Sequence, residues 1–184
     1  MSGEVYRHLA AVGFAVFWLP TIVAVLRVKG ERPTSISGHL ANGKRTTAVS
    51  VISGLVSAIL LMVFFVNWFF DSLNTSTIFN AIILVSFSLY LVAGVLPDKP
   101  KTHKVHMFTA ISASLLLPPA MFLLVINQHL TLVSRLAVLT LLAVMIAAGV
   151  EVRIRMKSKQ HFFIPQAIYF LCFDSIIVYL TYFG

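Results

Sequence analysis

The stretch TAVSVISGLVSAILLMVFFVNWFF, residues 47–70, decides the fold class of this chain. It runs for 24 residues without an aspartate, glutamate, lysine or arginine. About 20 apolar residues in a helix cross a hydrocarbon core of about 30 Å, because each residue adds about 1.5 Å. The apolar residues do not alternate with polar ones, as they would in the strands of a membrane barrel. The stretch therefore predicts a transmembrane helix.

Five further apolar runs share this pattern. The six predicted helices cover about residues 8–26, 47–70, 77–96, 105–126, 131–150 and 162–183. The chain is 59% hydrophobic and 11% charged, whereas soluble domains carry about 25% charged residues. Its mean hydropathy is +0.93. We therefore expect an all-α, polytopic membrane protein with a single six-helix domain over residues 1–184. We interpret the first run as a retained span and not as a cleaved signal.

Basic residues gather in the connections that follow the first, third and fifth predicted helices. These connections hold twelve of the 14 lysines and arginines: Arg27, Lys29, Arg32, Lys44, Arg45, Lys99, Lys101, Lys104, Arg153, Arg155, Lys157 and Lys159. Only Arg7 and Arg135 fall toward the other side. Because basic loops stay in the cytoplasm, we predict a cell-membrane protein with both termini on the non-cytoplasmic side.

The net charge of +8 predicts that the partners of the chain are negatively charged. The basic clusters are short and lie between apolar runs, instead of following one polar face. This arrangement favours the bilayer and its anionic lipid head groups as partners, and argues against nucleic acid. The short connections leave no room for a soluble domain, so a homo-oligomer or a protein partner is a further alternative.

One acidic residue, Asp174, lies in the middle of the last predicted helix. A charged carboxylate at this depth costs at least about 2.5 to 3.5 kcal/mol, so it requires a partner. Arg135 lies about one turn below the outer end of the fifth predicted helix, and an inward-pointing side chain would bring it close to the depth of Asp174. We predict that the two form an intramembrane polar pair. The structural alternatives for Asp174 are an ion pair or a protonated acid bonded to a neighbouring hydroxyl. The functional alternatives are a proton or cation site or a polar anchor in a substrate cavity.

A second polar group is expected at the cytoplasmic boundary. His103 and His106 are three residues apart and share a helix face, with Asp98 before them and Ser37 and His39 in the first connection. Histidine, aspartate and serine are the residue types of general bases and nucleophiles. His103, His106 and Asp98 also suggest a divalent metal site, the one cofactor that the sequence indicates. The alternative is a charged helix boundary among lipid head groups.

Three other features carry structural predictions. Residues 29–45 are rich in turn-forming and hydroxyl residues, which indicates an ordered loop or a short interfacial helix. Pro118 and Pro119 should free backbone carbonyls and bend the fourth helix. Trp18 and Trp68 lie near predicted helix ends and are typical of an interfacial aromatic belt.

The segment GVLPD at 94–98, with His103 and His106 after it, resembles the six-helix superfamily of damage-regulated autophagy modulator (DRAM)-like proteins. The chain is most similar to the bacterial relatives of unassigned function. Positions in the first connection and the last two helices also look similar: Pro33, Ile36, Ser37, Gly38, Arg135 and Asp174. The resemblance implies that the first connection and the Asp98 turn form one polar cluster, and it names no substrate.

Three functions remain open from the sequence. The first is a lipid-handling protein or a membrane-embedded hydrolase or transferase that uses the His/Asp cluster. The second is a small transporter or channel in which Asp174 takes up a proton or cation. The third is a non-catalytic scaffold or partner subunit.

Overall fold

The computed structural model describes residues 3–27, 33–96, 98–127 and 129–184 of the chain. The structure is 83% helical, and its described residues form no strand. Six helices in this part of the chain are long and apolar enough to cross a membrane: Glu4–Arg27, Lys44–Ser72, Thr77–Val95, His103–Val125, Leu132–Lys157 and Phe163–Tyr182. They are called the first to sixth spans below. The predicted all-helical fold is confirmed, with six helices of the length and composition of a multi-pass membrane protein.

The fifth span departs most from its predicted bounds of 131–150, because it continues to Lys157. Arg155 Nε donates to Glu151 Oε1 at 2.6 Å, one helical turn away. Basic residues in the last turn are also stabilised by the negative end of the helix dipole. The apolar run therefore ends before the helix does.

The spans are arranged in chain order around the bundle. Each span packs against the next one, and the first and sixth spans also meet. Phe173 of the sixth span lies in the interior, where its ring meets Phe14 of the first span at 6.4 Å and Phe87 of the third at 6.2 Å. The six-helix bundle is thus closed by contacts between its first and last members.

The second span contains a π-helical turn, Phe65–Phe69, between helical segments Lys44–Phe64 and Phe70–Ser72. Four phenylalanines of this region, at 64, 65, 69 and 70, are all buried. In a regular α-helix, at about 100° per residue, they would spread over about 240° of the helix surface. The wider π turn brings them to one side. It therefore lets the whole aromatic group face the interior.

The two prolines predicted to disturb the fourth span lie inside a continuous helix. Pro118 has no N–H, so the carbonyl of Ser114 loses its intrahelical donor. The hydroxyl of Tyr169, from the sixth span, donates to that carbonyl instead. Gly149 leaves room for this ring, since a Cβ at that position would lie 3.3 Å from Tyr169 Cε2. A neighbouring span therefore replaces the hydrogen bond that proline removes.

The three basic connections meet at one end of the bundle. The first contacts the fifth where Phe162 N donates to the carbonyl of Thr34 at 3.0 Å, and it contacts the third through Ser37 and Asp98. We call this the basic end, with its described cations Arg27, Lys44, Arg45, Lys99, Lys101, Lys104, Arg153, Arg155, Lys157 and Lys159. Lys29 and Arg32 of the charge count, and Pro97 of the family motif, lie outside the described residues. The side of the membrane on which the basic end lies stays a prediction.

The opposite end is held by its own set of contacts. The guanidinium of Arg7 lies 5.8 Å from the ring of Trp68 and 5.0 Å from that of Tyr182. Arg7 Nε also donates to the carbonyl of Thr181 at 3.1 Å. One arginine therefore joins the first, second and sixth spans, and the aromatic residues around it include Trp68, which lies at a span end as predicted.

Candidate functional site

A short helix in the first connection, Ile36–Leu40, positions the polar residues of the basic end. Ser35 begins it, because the Ser35 hydroxyl accepts a hydrogen bond from Gly38 N at 3.0 Å. The N–H of Ile36 donates to Gln166 Oε1 of the sixth span at 2.9 Å. A cap and a side chain from another span thus fix this helix, which we call the loop helix. Within the segment 29–45, a short helix is present at Ile36–Leu40, and its position at the membrane interface stays a prediction.

Asp98 links the loop helix to the start of the fourth span. Its Oδ1 lies 2.6 Å from His103 Nδ1, which donates, and its Oδ2 lies 3.4 Å from the Ser37 hydroxyl, which also donates. The His103 side chain is 57% exposed, whereas Asp98 is only 16% exposed. The carboxylate therefore fixes an imidazole that remains open to its surroundings.

His106 is buried and fixes the end of the third span. Its Nδ1 lies 2.9 Å from the carbonyl of Ala93 and 2.8 Å from that of Leu96. Both partners only accept, so Nδ1 carries the proton and Nε2 is left as an acceptor. The last carbonyls of a helix lack intrahelical donors, and residue 97 is a proline without an N–H. His106 supplies the missing donor.

A small cavity of about 50 Å³ lies among these elements, and we call it the rim cavity. It is lined by Ser37, Leu40, Ala41, Thr47, Ser50, Val51, Gly94, Asp98 and His106. The structure therefore brings Ser37, Asp98 and His106 together as predicted, and His103 joins them through Asp98. The sequence interpretation overlooked Thr47 and Ser50, although their spacing of three places both hydroxyls on one helix face.

His39 does not belong to this group, contrary to the prediction. It is 3% exposed, its Nδ1 donates to the carbonyl of Ser35 at 2.8 Å, and its ring lies 5.0 Å from that of Phe163. These contacts hold the loop helix against the sixth span. His39 therefore has a packing role, which the sequence spacing did not reveal.

The predicted metal ligands are not arranged as a metal site. Across the described ranges, no three His, Cys, Asp or Glu side chains lie where they could hold one ion. His106 directs Nδ1 at two carbonyls, while His103 directs Nδ1 at Asp98. The Nδ1 atoms of both histidines are therefore already used in other hydrogen bonds. His103, His106 and Asp98 do not converge on one point where an ion could bind.

The predicted pair of Asp174 and Arg135 is also not formed. Asp174 Oδ2 accepts a hydrogen bond from Trp18 Nε1 at 2.6 Å. Arg135 Nε donates at 3.1 Å to the carbonyl of Leu130, just before the fifth span. Arg135 lies only three residues inside its span, which begins at Leu132, and its side chain turns back toward the end of that span instead of reaching inward to Asp174. Trp18 is therefore the partner of the acid and not a member of an interfacial belt.

The order of groups at the basic end limits the chemistry. In a Ser-His-Asp triad the imidazole lies between the other two groups and takes the serine proton. Here the acid lies in the middle, because Ser37 and His103 both donate to Asp98. Among the described residues, Ser37 therefore has no hydrogen bond to an imidazole, whereas the His103–Asp98 pair has the arrangement of an oriented general base.

No family model, characterised protein or solved structure matches this chain. The likeness to the DRAM-like superfamily thus stays a prediction from short motifs. The geometry supports a multi-pass membrane protein with a polar cluster at its basic end.

Proposed function

We propose that this protein handles lipids, and that the basic end receives the phosphate head group of an anionic lipid for hydrolysis or transfer. The observation that carries the proposal is the 2.6 Å bond between His103 Nδ1 and Asp98 Oδ1. This bond orients the imidazole and leaves His103 Nε2 without a partner among the described residues. An oriented, open imidazole is the usual form of a general base.

The position of the pair favours a lipid head group as the substrate. His103 begins the fourth span, so its side chain lies where a membrane helix leaves the apolar layer. Lys99, Lys101 and Lys104 surround it in the sequence. Each lysine near an anionic membrane surface contributes about 1 kcal/mol of attraction. The cations therefore favour a phosphate next to the imidazole.

The proposed reaction uses water or an alcohol as the nucleophile. His103 Nε2 takes a proton from the nucleophile, whose oxygen bonds to the head-group phosphorus while the bond to the leaving alcohol oxygen breaks. The imidazolium then returns the proton to that oxygen, and Asp98 stabilises the imidazolium in between. Ser37 helps to hold Asp98, and His106 holds the cavity wall.

The test uses purified protein in vesicles of phosphatidylglycerol and phosphatidylcholine, with products measured by mass spectrometry. His103→Asn is the decisive variant, because its amide N–H replaces Nδ1 toward Asp98 and nothing replaces Nε2. We expect turnover to fall about 100-fold or more. His161→Ala is the matched control, since His161 is exposed at the same end and its side chain makes no hydrogen bond among the described contacts.

Two results would contradict the proposal. One is an unchanged lipid composition with the wild-type protein. The other is equal turnover by the wild type and His103→Asn, which would show that Nε2 takes no part.

A further inference from the structure

A second cavity lies between the first and sixth spans, far from the basic end. It is an open groove of about 460 Å³, lined by Ala11, Phe14, Trp18, Leu171, Asp174, Ser175, Val178, Tyr179 and Phe183. Small-molecule sites fill about 300 to 1,000 Å³, so the groove is large enough for a ligand. Most of its lining is apolar, and we call it the lateral groove.

The polar atoms of the lateral groove lie deep in the bundle. Asp174 is eleven residues from Phe163 and eight from Tyr182, the ends of the sixth span. At about 1.5 Å per residue, these separations are about 16 and 12 Å. The carboxylate is therefore placed near the middle of a bilayer, where water is scarce and hydrogen-bond donors are few.

One carboxylate oxygen of Asp174 accepts no hydrogen bond from the described residues. Trp18 Nε1 donates to Oδ2, whereas Oδ1 has no hydrogen bond among the described residues. The hydroxyl of Ser175, which also lines the groove, is likewise without a described hydrogen bond. No wholly buried side-chain oxygen of the described chain lacks a partner, so Asp174 Oδ1 opens onto the groove.

These features define the chemistry of an occupant. A carboxylate oxygen without a donor is costly at this depth, and an incoming N–H or O–H would remove that cost. The rest of the lining requires an apolar body. A phosphate or carboxylate head group is disfavoured, because it would lie against the acid.

We propose that the lateral groove binds a bilayer-soluble molecule with an apolar body and one hydrogen-bond-donating head, an alcohol or an amine, which donates to Asp174 Oδ1. Binding occurs from within the bilayer, between the first and sixth spans. The proposal is independent of the reaction at the basic end, because none of the groove residues takes part in it.

Trp18 provides the readout, since it lies in the groove beside Asp174. The chain has two tryptophans, so the protein is prepared with Trp68→Phe and reconstituted in phosphatidylcholine vesicles. The probe is 2-bromohexadecan-1-ol, whose bromine quenches a tryptophan in contact with its head. The control probe is 2-bromohexadecane, which has the same bromine and no donor.

We expect saturable quenching by the alcohol, at about a tenfold lower mole fraction than the control probe requires, as for a hydrogen bond to a charged group. Asp174→Asn keeps an acceptor for Trp18 and turns an amide N–H to the groove, so it should remove this preference. Unbrominated hexadecan-1-ol or hexadecylamine should restore the fluorescence, and the more potent one identifies the preferred head.

Ala11→Leu is a second variant that leaves Asp174 intact. Ala11 is an exposed lining residue of the groove, so a larger side chain should fill the space and weaken binding without unfolding the protein. Equal quenching by both probes, full displacement by hexadecane, or unchanged binding in folded Asp174→Asn would overturn the proposal.

Discussion

The rim cavity and the lateral groove each contain one aspartate, but the two acids are held differently. Asp98 accepts from two side chains, His103 and Ser37, beside a group of cations at the end of the bundle. Asp174 accepts from one indole, in the middle of a span and among apolar neighbours. We infer from this difference that depth, more than the number of bonds, decides how much each polar contact contributes to stability. Where water is near, a lost partner is easily replaced.

The largest expected effect is the loss of the donor to Asp174. Trp18→Phe leaves the carboxyl group of Asp174 without its indole partner, and a buried acceptor that loses its partner costs about 1 to 3 kcal/mol. We therefore expect the free energy of unfolding to fall by about 2 kcal/mol or more, measured by sodium dodecyl sulfate titration in mixed micelles.

The matched control is the same substitution in an Asp174→Leu background. In that background the indole has no acid to donate to. Trp18→Phe should therefore lower the free energy of unfolding only through the loss of ring volume. An equal cost in both backgrounds would show that packing, not the hydrogen bond, explains the effect.

A smaller effect is expected for the hydrogen bond between the fourth and sixth spans. Tyr169→Phe leaves the carbonyl of Ser114 unpaired at mid-span, and such bonds contribute up to about 1.7 kcal/mol in membrane proteins. Pro118→Ala restores an N–H to that carbonyl, so the cost of Tyr169→Phe should shrink in this background. Additive costs in the same titration would contradict this explanation.

His106→Ala should cost about 1 kcal/mol, because two carbonyls at the end of the third span lose their donor. His106→Asn retains a donor at the position of Nδ1 and should recover most of that stability. Thermal unfolding in detergent compares the two variants. Equal melting temperatures for the alanine and asparagine variants would show that the carbonyl contacts contribute little.

The smallest effect belongs to the exposed pair at the basic end. His103→Ala removes a contact whose histidine is 57% exposed, and exposed pairs contribute about 0.2 to 1 kcal/mol. We expect a change within about 0.5 kcal/mol in the same thermal assay. A loss as large as that of Trp18→Phe would refute the idea that depth decides the cost.

The sequence was sufficient to predict the spans, because each span depends on the apolar residues of its own segment. An uninterrupted apolar run of bilayer length has no other stable form in lipid than a helix, so five of the six spans end within four residues of their predicted bounds. The exceptions have causes outside the apolar pattern. The fifth span is extended by the Glu151–Arg155 contact, and the π turn serves the packing of Phe65 and Phe69 against other spans.

In the candidate sites, too, the sequence predicts contacts between near neighbours in the chain but not contacts between distant spans. Asp98 and His103 are five residues apart on either side of a turn, so their contact follows from sequence proximity. Trp18 and Asp174 are separated by 156 positions, and their contact depends on how the first and sixth spans rotate. Hydropathy fixes the depth of a residue but not the direction in which it faces. For that reason, the prediction that Arg135 reaches inward to Asp174 was wrong, because its side chain turns to the carbonyl of Leu130.

The bond from Tyr169 to the Ser114 carbonyl has a consequence for biosynthesis. The fourth span is made before the sixth, so a growing chain carries an unmet backbone acceptor at Ser114 until the sixth span packs against the fourth. A bundle with the sixth span in place therefore differs chemically from an intermediate without it, because the Ser114 carbonyl has the Tyr169 donor only in the first.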